Sequence, residues 1–541
     1  MQPSTLAKRV SFFLFLAIIA FYFYGLGHLP LVGPDEPRYA QVAREMFLRG
    51  DLVTPTLGGH TWFEKPALLY WMMIASFKVF GVNEWSARLG PALCGLLTIV
   101  ALWCVGHRVS RTSAGETGYF GFWSALAAAT SLGLIVFARG ASFDVVITMT
   151  TTWALVLFLL SDLTAARRAS LAFLAGFYVF VGLSLIAKGL VGVVIPFGVV
   201  GLYYLLRRQL PRQGVRMSLI WGLPLALAVA AIWYGPVISR HGWNFIDEFF
   251  VQHHFARYVS NRYHHPQPIY FYLLVLIPLT LPWTVFLFDS LVQSRRWSWR
   301  NDDSLSKARV FSFAWLLLPV LFFSFSGSKL PGYILPGLPA TFLLLGERVA
   351  RSSSGFESTK WPLRATGVIC ALLGATGFVF AWSVVGLSVR CSLLIALPLL
   401  IAGVFAIVLT SLRDVCLVLI ACATIISLII ILNCAADRIA QRESVRDLLQ
   451  LADARGYSQT PVLAQRGGDR TAEFYASGRV IYRADGEVMT IDEVPLAEAR
   501  KHGERLLIFI PVEYLERFRT TSGFEVIGDN GRLALLVWKA Q

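Results

Sequence analysis

The chain has 541 residues, 56% of them hydrophobic, and a mean hydropathy of +0.61. Soluble globular proteins are usually only about 45–50% apolar, so this composition excludes an ordinary soluble enzyme. The formal net charge is +15, yet residues 1–435 carry +16 and residues 436–541 carry −1. The positive charge therefore belongs to the hydrophobic part of the chain. No basic patch with interleaved aromatic residues indicates nucleic-acid binding.

Long uncharged segments recur through residues 10–435. Each is near the roughly 20 residues that a helix needs to cross a bilayer, and helices satisfy their own backbone groups in lipid. We predict about thirteen membrane spans, which start near residues 10, 87, 119, 145, 170, 189, 218, 269, 310, 332, 366, 391 and 415. The first span ends in Phe21-Tyr22-Phe23-Tyr24 without the small residues of a signal-peptidase site, so we expect it to remain as an anchor.

Positive residues predict the orientation of the spans. They fall in alternate loops, at Lys8 and Arg9, Arg108 and Arg111, Arg167 and Arg168, Arg207 to Arg216, Arg295 to Arg300, Arg348 to Arg364, and Arg413. The positive-inside rule makes these loops cytoplasmic. An odd number of spans then places the C-terminus outside. All seven cysteines lie in or at the ends of predicted spans, so no disulfide framework and no cysteine metal site is predicted.

The first outward loop, residues 29–86, carries two polar clusters that each precede a helical pattern. The first is Pro34-Asp35-Glu36-Pro37-Arg38, followed by apolar residues at helical spacing that predict an amphipathic helix at the membrane surface. The second is Phe63-Glu64-Lys65-Pro66, followed by a mostly apolar segment that Gly81 ends. Helix N-termini attract anions. Asp35 and Glu36 are therefore either catalytic carboxylates or simple N-terminal caps.

Further polar residues are predicted at the outward ends of later spans. They are Arg139, Asp144, Lys188, Lys329 and Tyr333. Each cation alone has the alternative interpretation of a helix-end charge that reaches for water. Outward loops should be poor in cations, however, so the set together favours a site that binds an anion.

A histidine-rich loop is predicted between the seventh and eighth spans. It contains His253-His254, Arg257 and His264-His265, so four of the nine histidines lie within thirteen residues. Imidazole suits zinc and similar ions. The pairs are adjacent rather than one helical turn apart, so a metal site and a hydrated interfacial loop both remain open.

Residues 436–541 have the composition of a soluble domain, and about a hundred residues can bury their own core. We predict a small α/β domain outside the membrane. Its expected elements are helices at Glu443–Ala454 and Leu496–His502 and strands at Pro461–Ala464, Arg479–Arg483, Leu506–Pro511 and Leu533–Trp538. It contains no phosphate-loop or dinucleotide-binding fingerprint.

Carboxylates and cations gathered at the outer face indicate a group transfer that uses a lipid-borne donor. Nucleotide sugars are not available outside the cell, so an activated sugar has to arrive on a lipid. Its phosphate leaving group needs cations, and a carboxylate would orient or deprotonate the acceptor. A transporter is the alternative class, but it predicts ionisable residues near the membrane midplane and broken helices there.

The motifs resemble the protein O-mannosyltransferase and aminoarabinose transferase superfamily of GT-C glycosyltransferases. The matching segments are Asp35-Glu36-x-Arg38-Tyr39-Ala40, Arg44-Glu45-Met46, Gly50-Asp51, Phe63-Glu64-Lys65-Pro66, Lys188-Gly189, His254 with Arg257, and Tyr333-Ile334-Leu335-Pro336. The resemblance covers most of residues 10–340. It implies an all-α polytopic membrane domain over residues 1–435 and an extracytoplasmic α/β domain over residues 436–541.

The resemblance also implies roles for individual residues. Asp35 is the main catalytic carboxylate and Asp144 a second one. The donor and acceptor are expected to contact Glu36, Arg38, Lys65, Arg139, Lys188, Arg257, Lys329 and Tyr333. Glu64 and His254 fall where such a transferase holds a divalent metal ion. The implied partners are a polyprenyl-phosphate-linked sugar and an extracytoplasmic acceptor.

The implied reaction is transfer of 4-amino-4-deoxy-L-arabinose from undecaprenyl phosphate to lipid A, at the outer face of a bacterial cytoplasmic membrane. Transfer of a hexose or pentose to a protein, a glycan or another lipid stays open, because relatives with different sugars and acceptors share these motifs.

Overall fold

The computed structural model of the protein describes residues 5–113, 117–256, 267–356, 358–463, 470–484, 486–490 and 505–539, and it describes the side chains of these residues except at 5–11, 254–256 and 439. The chain forms two compact units. The helical unit consists of Met1–Tyr24, Glu64–Leu69 and Gly90–Ile430, and the sheet unit consists of Gly25–Phe63, Tyr70–Leu89 and Ile431–Gln541. The sheet unit thus contains first-loop segments as well as the C-terminal region. The domain boundary at residue 436 stays a prediction.

Helices dominate the structure. Those of the first half are α1 (Thr5–Phe23), α2 (Glu36–Arg49), α3 (Leu68–Phe80), α4 (Glu84–Thr112), α5 (Phe120–Ala129), α6 (Leu132–Ala138), α7 (Phe143–Asp162), α8 (Arg167–Lys188), α9 (Val191–Arg207) and α10 (Gln213–Ile246), which a π-helix (Asp247–Ala256) extends. Those that follow are α11 (Phe271–Thr280), α12 (Thr284–Gln293), α13 (Ser304–Ser324), a 3₁₀ helix (Pro331–Gly337), α14 (Leu338–Ser353), α15 (Lys360–Val379), α16 (Val389–Val408), α17 (Arg413–Cys434), α18 (Ala436–Glu443), α19 (Arg446–Ala452), α20 (Thr471–Tyr475) and α21 (Leu515–Arg519).

Eight helices within the described residues are long and apolar enough to cross a membrane, or nine if α5 and α6, bent by 60°, form one span. Shorter apolar helices lie at Phe12–Phe23, Leu68–Phe80, Val191–Arg207 and Phe271–Thr280. Each predicted span start falls inside a helix or within two residues of one. The all-α membrane architecture is confirmed, and the count of thirteen spans stays a prediction.

The outer surface of the helical unit is apolar. Large side chains such as Ile220, Leu227 and Phe380 are more than half exposed. In water such a surface would aggregate, whereas in a bilayer it contacts lipid tails. Glycines let the helices approach closely: a Cβ on Gly106 would lie 2.5 Å from the backbone of Gly121. Such small-residue contacts are typical of helix pairs packed within a membrane.

The sheet unit is built around a four-stranded sheet. Its strands are β3 (Val462–Leu463), β4 (Arg505–Pro511), β5 (Phe524–Asp529) and β6 (Leu533–Lys539). Their order is β3-β4-β6-β5, with β3 parallel to β4 and the other neighbours antiparallel. One face packs with Leu448 and Leu449 of α19, and the other face has its own apolar cluster that includes Ile508 and Leu536. The predicted α/β domain is therefore confirmed as a class.

Several predicted elements of this region differ from the structure. Residues Arg479–Arg483 form only isolated bridges at Val480 and Tyr482 instead of a strand. The predicted helix at Glu443–Ala454 is broken, because α18 ends at Glu443 and α19 begins at Arg446. Strand β5 was not predicted, since Glu525 and Gly528 interrupt its apolar pattern and a bulge lies between Val526 and Gly528. The predicted helix at Leu496–His502 lies outside the described residues.

Within the sheet unit, the first loop and the C-terminal region are hydrogen-bonded to each other. The Tyr475 hydroxyl accepts the Leu31 N–H at 2.6 Å and donates to the Glu84 carboxylate at 3.0 Å. The Arg44 guanidinium donates to the Phe474 carbonyl at 2.8 Å. The apolar face of α2, including Val42, is buried within the protein. The amphipathic pattern of α2 thus serves a protein contact.

Candidate active site

The predicted site residues divide between the two units. Asp35, Glu36 and Arg38 belong to the sheet unit, and the other described ones belong to the helical unit. The side chain of His254 and the whole of Arg257 lie outside the described residues. Each unit therefore presents its own cluster of ionisable groups.

Asp35 immediately precedes α2 and remains accessible. Its side chain is 54% exposed, and one oxygen accepts a hydrogen bond from the Arg38 guanidinium at 2.9 Å. It makes no capping hydrogen bond to the N–H groups of α2. Pro37 opens the helix in a position that suits proline, because the missing N–H would have no intrahelical partner. The structure therefore does not use the Asp35 carboxylate as a helix cap.

Arg38 is largely buried beside Asp35. Its guanidinium lies 5.1 Å from the centre of the Trp62 ring, within cation–π range. Its side chain is only 14% exposed. The contact with Trp62 restrains the Arg38 guanidinium. The guanidinium in turn orients the carboxylate of Asp35, which lies three residues earlier in the chain.

Glu36 is fully engaged by Arg88, a residue that sequence reasoning missed. The Arg88 Nε and Nη2 atoms donate to the two Glu36 oxygens at 3.0 and 2.7 Å. The remaining Arg88 donors reach the carbonyls of Leu26, Leu29 and Pro30 at 2.7–2.8 Å. Such bidentate pairs are strong and directional. Arg88 thus links the start of α2 to the chain segment before it. The sequence did not identify Arg88, because a cation at the start of a predicted span resembles an ordinary helix-end charge.

A second cluster joins three elements of the helical unit. Asp144 lies in the first turn of α7, where the Ser142 hydroxyl accepts its backbone N–H at 3.0 Å. Lys188 is the last residue of α8, and its ammonium forms an ion pair with the Asp144 carboxylate. The same ammonium lies 4.9 Å from the centre of the Tyr333 ring. Three residues predicted separately are therefore brought together.

Gly332 makes this cluster sterically possible. A Cβ at that position would lie 2.0 Å from the Asp144 carboxylate oxygen and 2.7 Å from its carbon. Real Cβ contacts are never so short, so any side chain at position 332 would displace Asp144. The sequence did not indicate that the glycine before Tyr333 is needed for this cluster.

Lys329 precedes the same 3₁₀ helix and is 8% exposed. Its ammonium donates to the carbonyls of Gln267 and Ser326 at 2.9 and 2.8 Å. Among the described residues no carboxylate pairs with it. An ammonium has three donors, so one remains for a further acceptor. Tyr272, which the sequence also did not identify, stabilises the segment that follows Lys329, because its hydroxyl donates to the Leu330 carbonyl at 3.2 Å.

Glu64 and Lys65 form an ion pair at 2.8 Å, and both side chains are nearly buried. A divalent cation would need the negative charge of the Glu64 carboxylate, and the Lys65 ammonium already neutralises that charge. No group of three or more His, Cys, Asp or Glu side chains suited to a metal ion occurs in the part of the chain that the structure describes. Glu64 with its ammonium partner does not fit a metal centre by itself, and the ion implied by the resemblance stays a prediction.

Arg139 follows α6 and caps the end of α1. Its guanidinium donates to the carbonyls of Phe21 and Tyr24 at 2.5 and 2.6 Å and stacks 5.0 Å from the Phe21 ring centre. The last carbonyls of a helix need such donors. At least two of its donors therefore serve structure.

Comparisons with known proteins extend these observations. Residues 64–235 match the family described as dolichyl-phosphate-mannose-protein mannosyltransferase. The chain is 30% identical over 383 residues to the undecaprenyl phosphate-alpha-4-amino-4-deoxy-L-arabinose arabinosyl transferase 2 of Pseudomonas fluorescens, over 70% of this chain and 62% of that relative. It is 30% identical over 378 residues to the corresponding transferase of Aeromonas salmonicida, over 67% of this chain and 65% of that relative. The chain thus spans a little under two thirds of these curated relatives.

The fold is similar to the crystal structure of ArnT from Cupriavidus metallidurans bound to undecaprenyl phosphate, with a TM-score of 0.78, 23% identity and 98% coverage of both chains. The apo structure of that protein matches equally well. This chain is therefore a multi-pass membrane protein with the GT-C fold. Within that fold, its resemblance to the protein O-mannosyltransferase and aminoarabinose transferase superfamily is confirmed.

Replacing Glu36 should cost stability, whereas replacing its neighbour Asp35 should not. Glu36→Gln removes the charge that Arg88 pairs with inside the protein, and we expect the free energy of unfolding to fall by about 2–3 kcal/mol. Asp35→Asn alters a half-exposed pair and should change it by less than about 1 kcal/mol. Unfolding of the detergent-solubilised variants measures both values. Equal losses would contradict the structural role given to Glu36.

Proposed function

We propose that the protein transfers 4-amino-4-deoxy-L-arabinose from undecaprenyl phosphate to lipid A. The observation that carries this proposal is the cluster of Asp144, Lys188 and Tyr333 in a chain with the GT-C fold. The names of the relatives supply the sugar and its carrier. In the reaction, the bond between the sugar's anomeric carbon and the donor phosphate oxygen breaks. A bond from that carbon to an acceptor oxygen forms, and polyprenyl phosphate leaves with the electron pair.

Cations near the donor phosphate would stabilise the charge that develops on the leaving group. We assign this role to Lys188 and Lys329, the latter with a donor not used by the two carbonyls it contacts. The resemblance to the superfamily also assigns phosphate binding to Arg38 and Lys65. Tyr333 and Asp144 position the Lys188 ammonium. Arg139 and Glu36 act indirectly, since Arg139 fixes the end of α1 and Glu36 fixes the start of α2.

Asp35 is the proposed catalytic carboxylate. It is exposed, it is spared from capping α2, and Arg38 keeps its orientation. If the accepting group is a hydroxyl, Asp35 removes its proton as the new bond forms. If it is a phosphate oxygen of lipid A, that oxygen is already ionised, and Asp35 instead orients the acceptor or the amine of the sugar. Both roles need the charged form of the carboxylate.

The first test compares lipid A from cells that lack the gene and carry either the wild-type protein or Asp35→Asn. Wild-type cells should show lipid A with the added mass of the amino sugar. Loss of a general base commonly costs about 10²–10⁴ in rate, so Asp35→Asn should abolish the added mass while the protein is expressed and folded. Mass spectrometry of the extracted lipid measures the product.

The matched control is Asp447→Asn. Asp447 is 46% exposed, lies in the first turn of α19 and pairs with Arg446 at 3.0 Å, so it reproduces the local setting of Asp35 without its proposed role. The control should give full modification. A wild-type strain with unmodified lipid A and a newly mannosylated protein would overturn the acceptor and favour the activity in the name of the matched family.

Gly332→Ala should disrupt the phosphate-binding cluster without touching its charges. The new methyl group would overlap the Asp144 carboxylate, so the carboxylate and the paired Lys188 ammonium must both shift. A misplacement of about 1 Å can cost roughly 100-fold in rate. Turnover of the purified variant measures the effect, and Gly235→Ala, where a Cβ meets nothing within 4 Å, is the control. Turnover within about threefold of wild type would remove this cluster from the mechanism.

We also propose that the site faces the outside of the cytoplasmic membrane. The alternating arginine clusters support this orientation through the positive-inside rule. Reporter fusions after residue 60 and near residue 436 should then both report export. A cytoplasmic signal from either fusion would reverse the orientation, and an exported signal from a fusion near residue 210 would do the same.

A further inference from the structure

A cavity lies away from the cluster around Lys188, since it is bounded by the middle of α8, the end of α9 and the start of α10. Its volume is about 620 Å³, within the roughly 300–1,000 Å³ of small-molecule sites. Most of its wall is apolar and aromatic, with Phe177, Tyr178, Phe197 and Val200 among the lining residues. None of these residues takes part in the proposed transfer reaction.

Two arginines lie at the polar part of this cavity. Arg208 and Arg216 both line it and are exposed. Within the described residues neither guanidinium has a carboxylate partner. Their neighbours differ, because Arg207 pairs with Asp302 at 2.7 Å and Arg212 lies 3.7 Å from Asp162. The cavity therefore combines an apolar interior with two cations whose charge the protein does not neutralise.

The turn that presents Arg208 is held firmly. Arg207 is 2% exposed, and its guanidinium donates to the Tyr203 hydroxyl at 2.7 Å and to the Asn301 carbonyl at 2.9 Å. Arg208 follows at the end of α9 with φ +52°, a left-handed conformation in which glycine is the usual residue. A charged side chain is thus held where glycine would be the easier choice.

We propose that this cavity binds one anionic glycerophospholipid of the surrounding bilayer, with its phosphate between Arg208 and Arg216 and an acyl chain against the aromatic wall. Basic pockets between membrane helices are known to bind anionic head groups. The cavity reaches the lipid-facing surface, because Leu205 and Leu219, which also line it, are exposed. A soluble phosphate would use the two arginines but leave the apolar wall in contact with water. The proposal is independent of the transferase activity.

Binding of phosphatidylglycerol to the purified full-length protein tests this assignment, with phosphatidylcholine of the same acyl chains as the neutral reference. Native mass spectrometry should show one tightly bound phosphatidylglycerol. Each cation near a lipid phosphate changes affinity by about fivefold, so Arg208→Gln with Arg216→Gln should weaken binding by roughly 25-fold. The control, Arg295→Gln with Arg296→Gln, removes the same charge from another arginine pair and should leave the affinity unchanged.

A second variant fills the cavity instead of changing its charge. Gly201 lines it, and a Cβ there would meet nothing within 4 Å, so Gly201→Leu should fold normally and displace the acyl chain. Gly235→Leu on α10, which also has open space around its Cβ but lies outside the cavity, is the control. The proposal is overturned if phosphatidylcholine binds as well as phosphatidylglycerol, if undecaprenyl phosphate binds there more tightly, or if Gly201→Leu binds like wild type.

Discussion

A charge inside an apolar helical bundle needs an opposite charge or hydrogen-bonding partners, and this constraint shapes the helical unit. Burying an unpaired charge is so costly that the group would rather neutralise. The structure accordingly pairs Asp144 with Lys188, Asp289 with Arg348, and Glu347 with Arg309. Each pair joins residues from different helices. The ion pairs therefore favour contacts between particular helices. One of these contacts, between α7 and α8, forms the proposed phosphate-binding cluster.

The same principle separates two adjacent carboxylates in the sheet unit. Glu36 is satisfied by Arg88 and fastens the start of α2 to the preceding chain. Asp35, one residue earlier, keeps half of its side chain exposed and a single charged partner. A buried and fully bonded carboxylate stabilises a fold, whereas an accessible one is available for chemistry. The two neighbouring carboxylates thus differ in burial and in bonding, and only Asp35 is accessible for the catalytic role proposed for it.

Much of this arrangement could be predicted from the sequence. Long apolar segments predict the helices, because lipid leaves backbone groups no other partner. Cations in loops predicted to face outward identified Lys188 and Lys329 as candidates. Contacts between distant segments could not be predicted, since Arg88 and Tyr272 have no local pattern that distinguishes them from ordinary span-end residues. Strand β5 was missed because its alternation is interrupted at a bulge. The Gly332 contact depends on an Asp144 that lies nearly two hundred residues earlier.

The hydrogen bonds of Tyr475 have a consequence for how the protein is made. Its hydroxyl bonds to Leu31 and Glu84, and the partner Glu84 is separated from it by 391 residues of chain. At about 5–20 residues per second, ribosomes need roughly 20–80 s to synthesise that interval. Throughout it, the segment that contains Leu31 and Asp35 has been made while Tyr475 has not. The contacts that Tyr475 makes with the proposed catalytic loop therefore form late in synthesis, after most of the helices have been made.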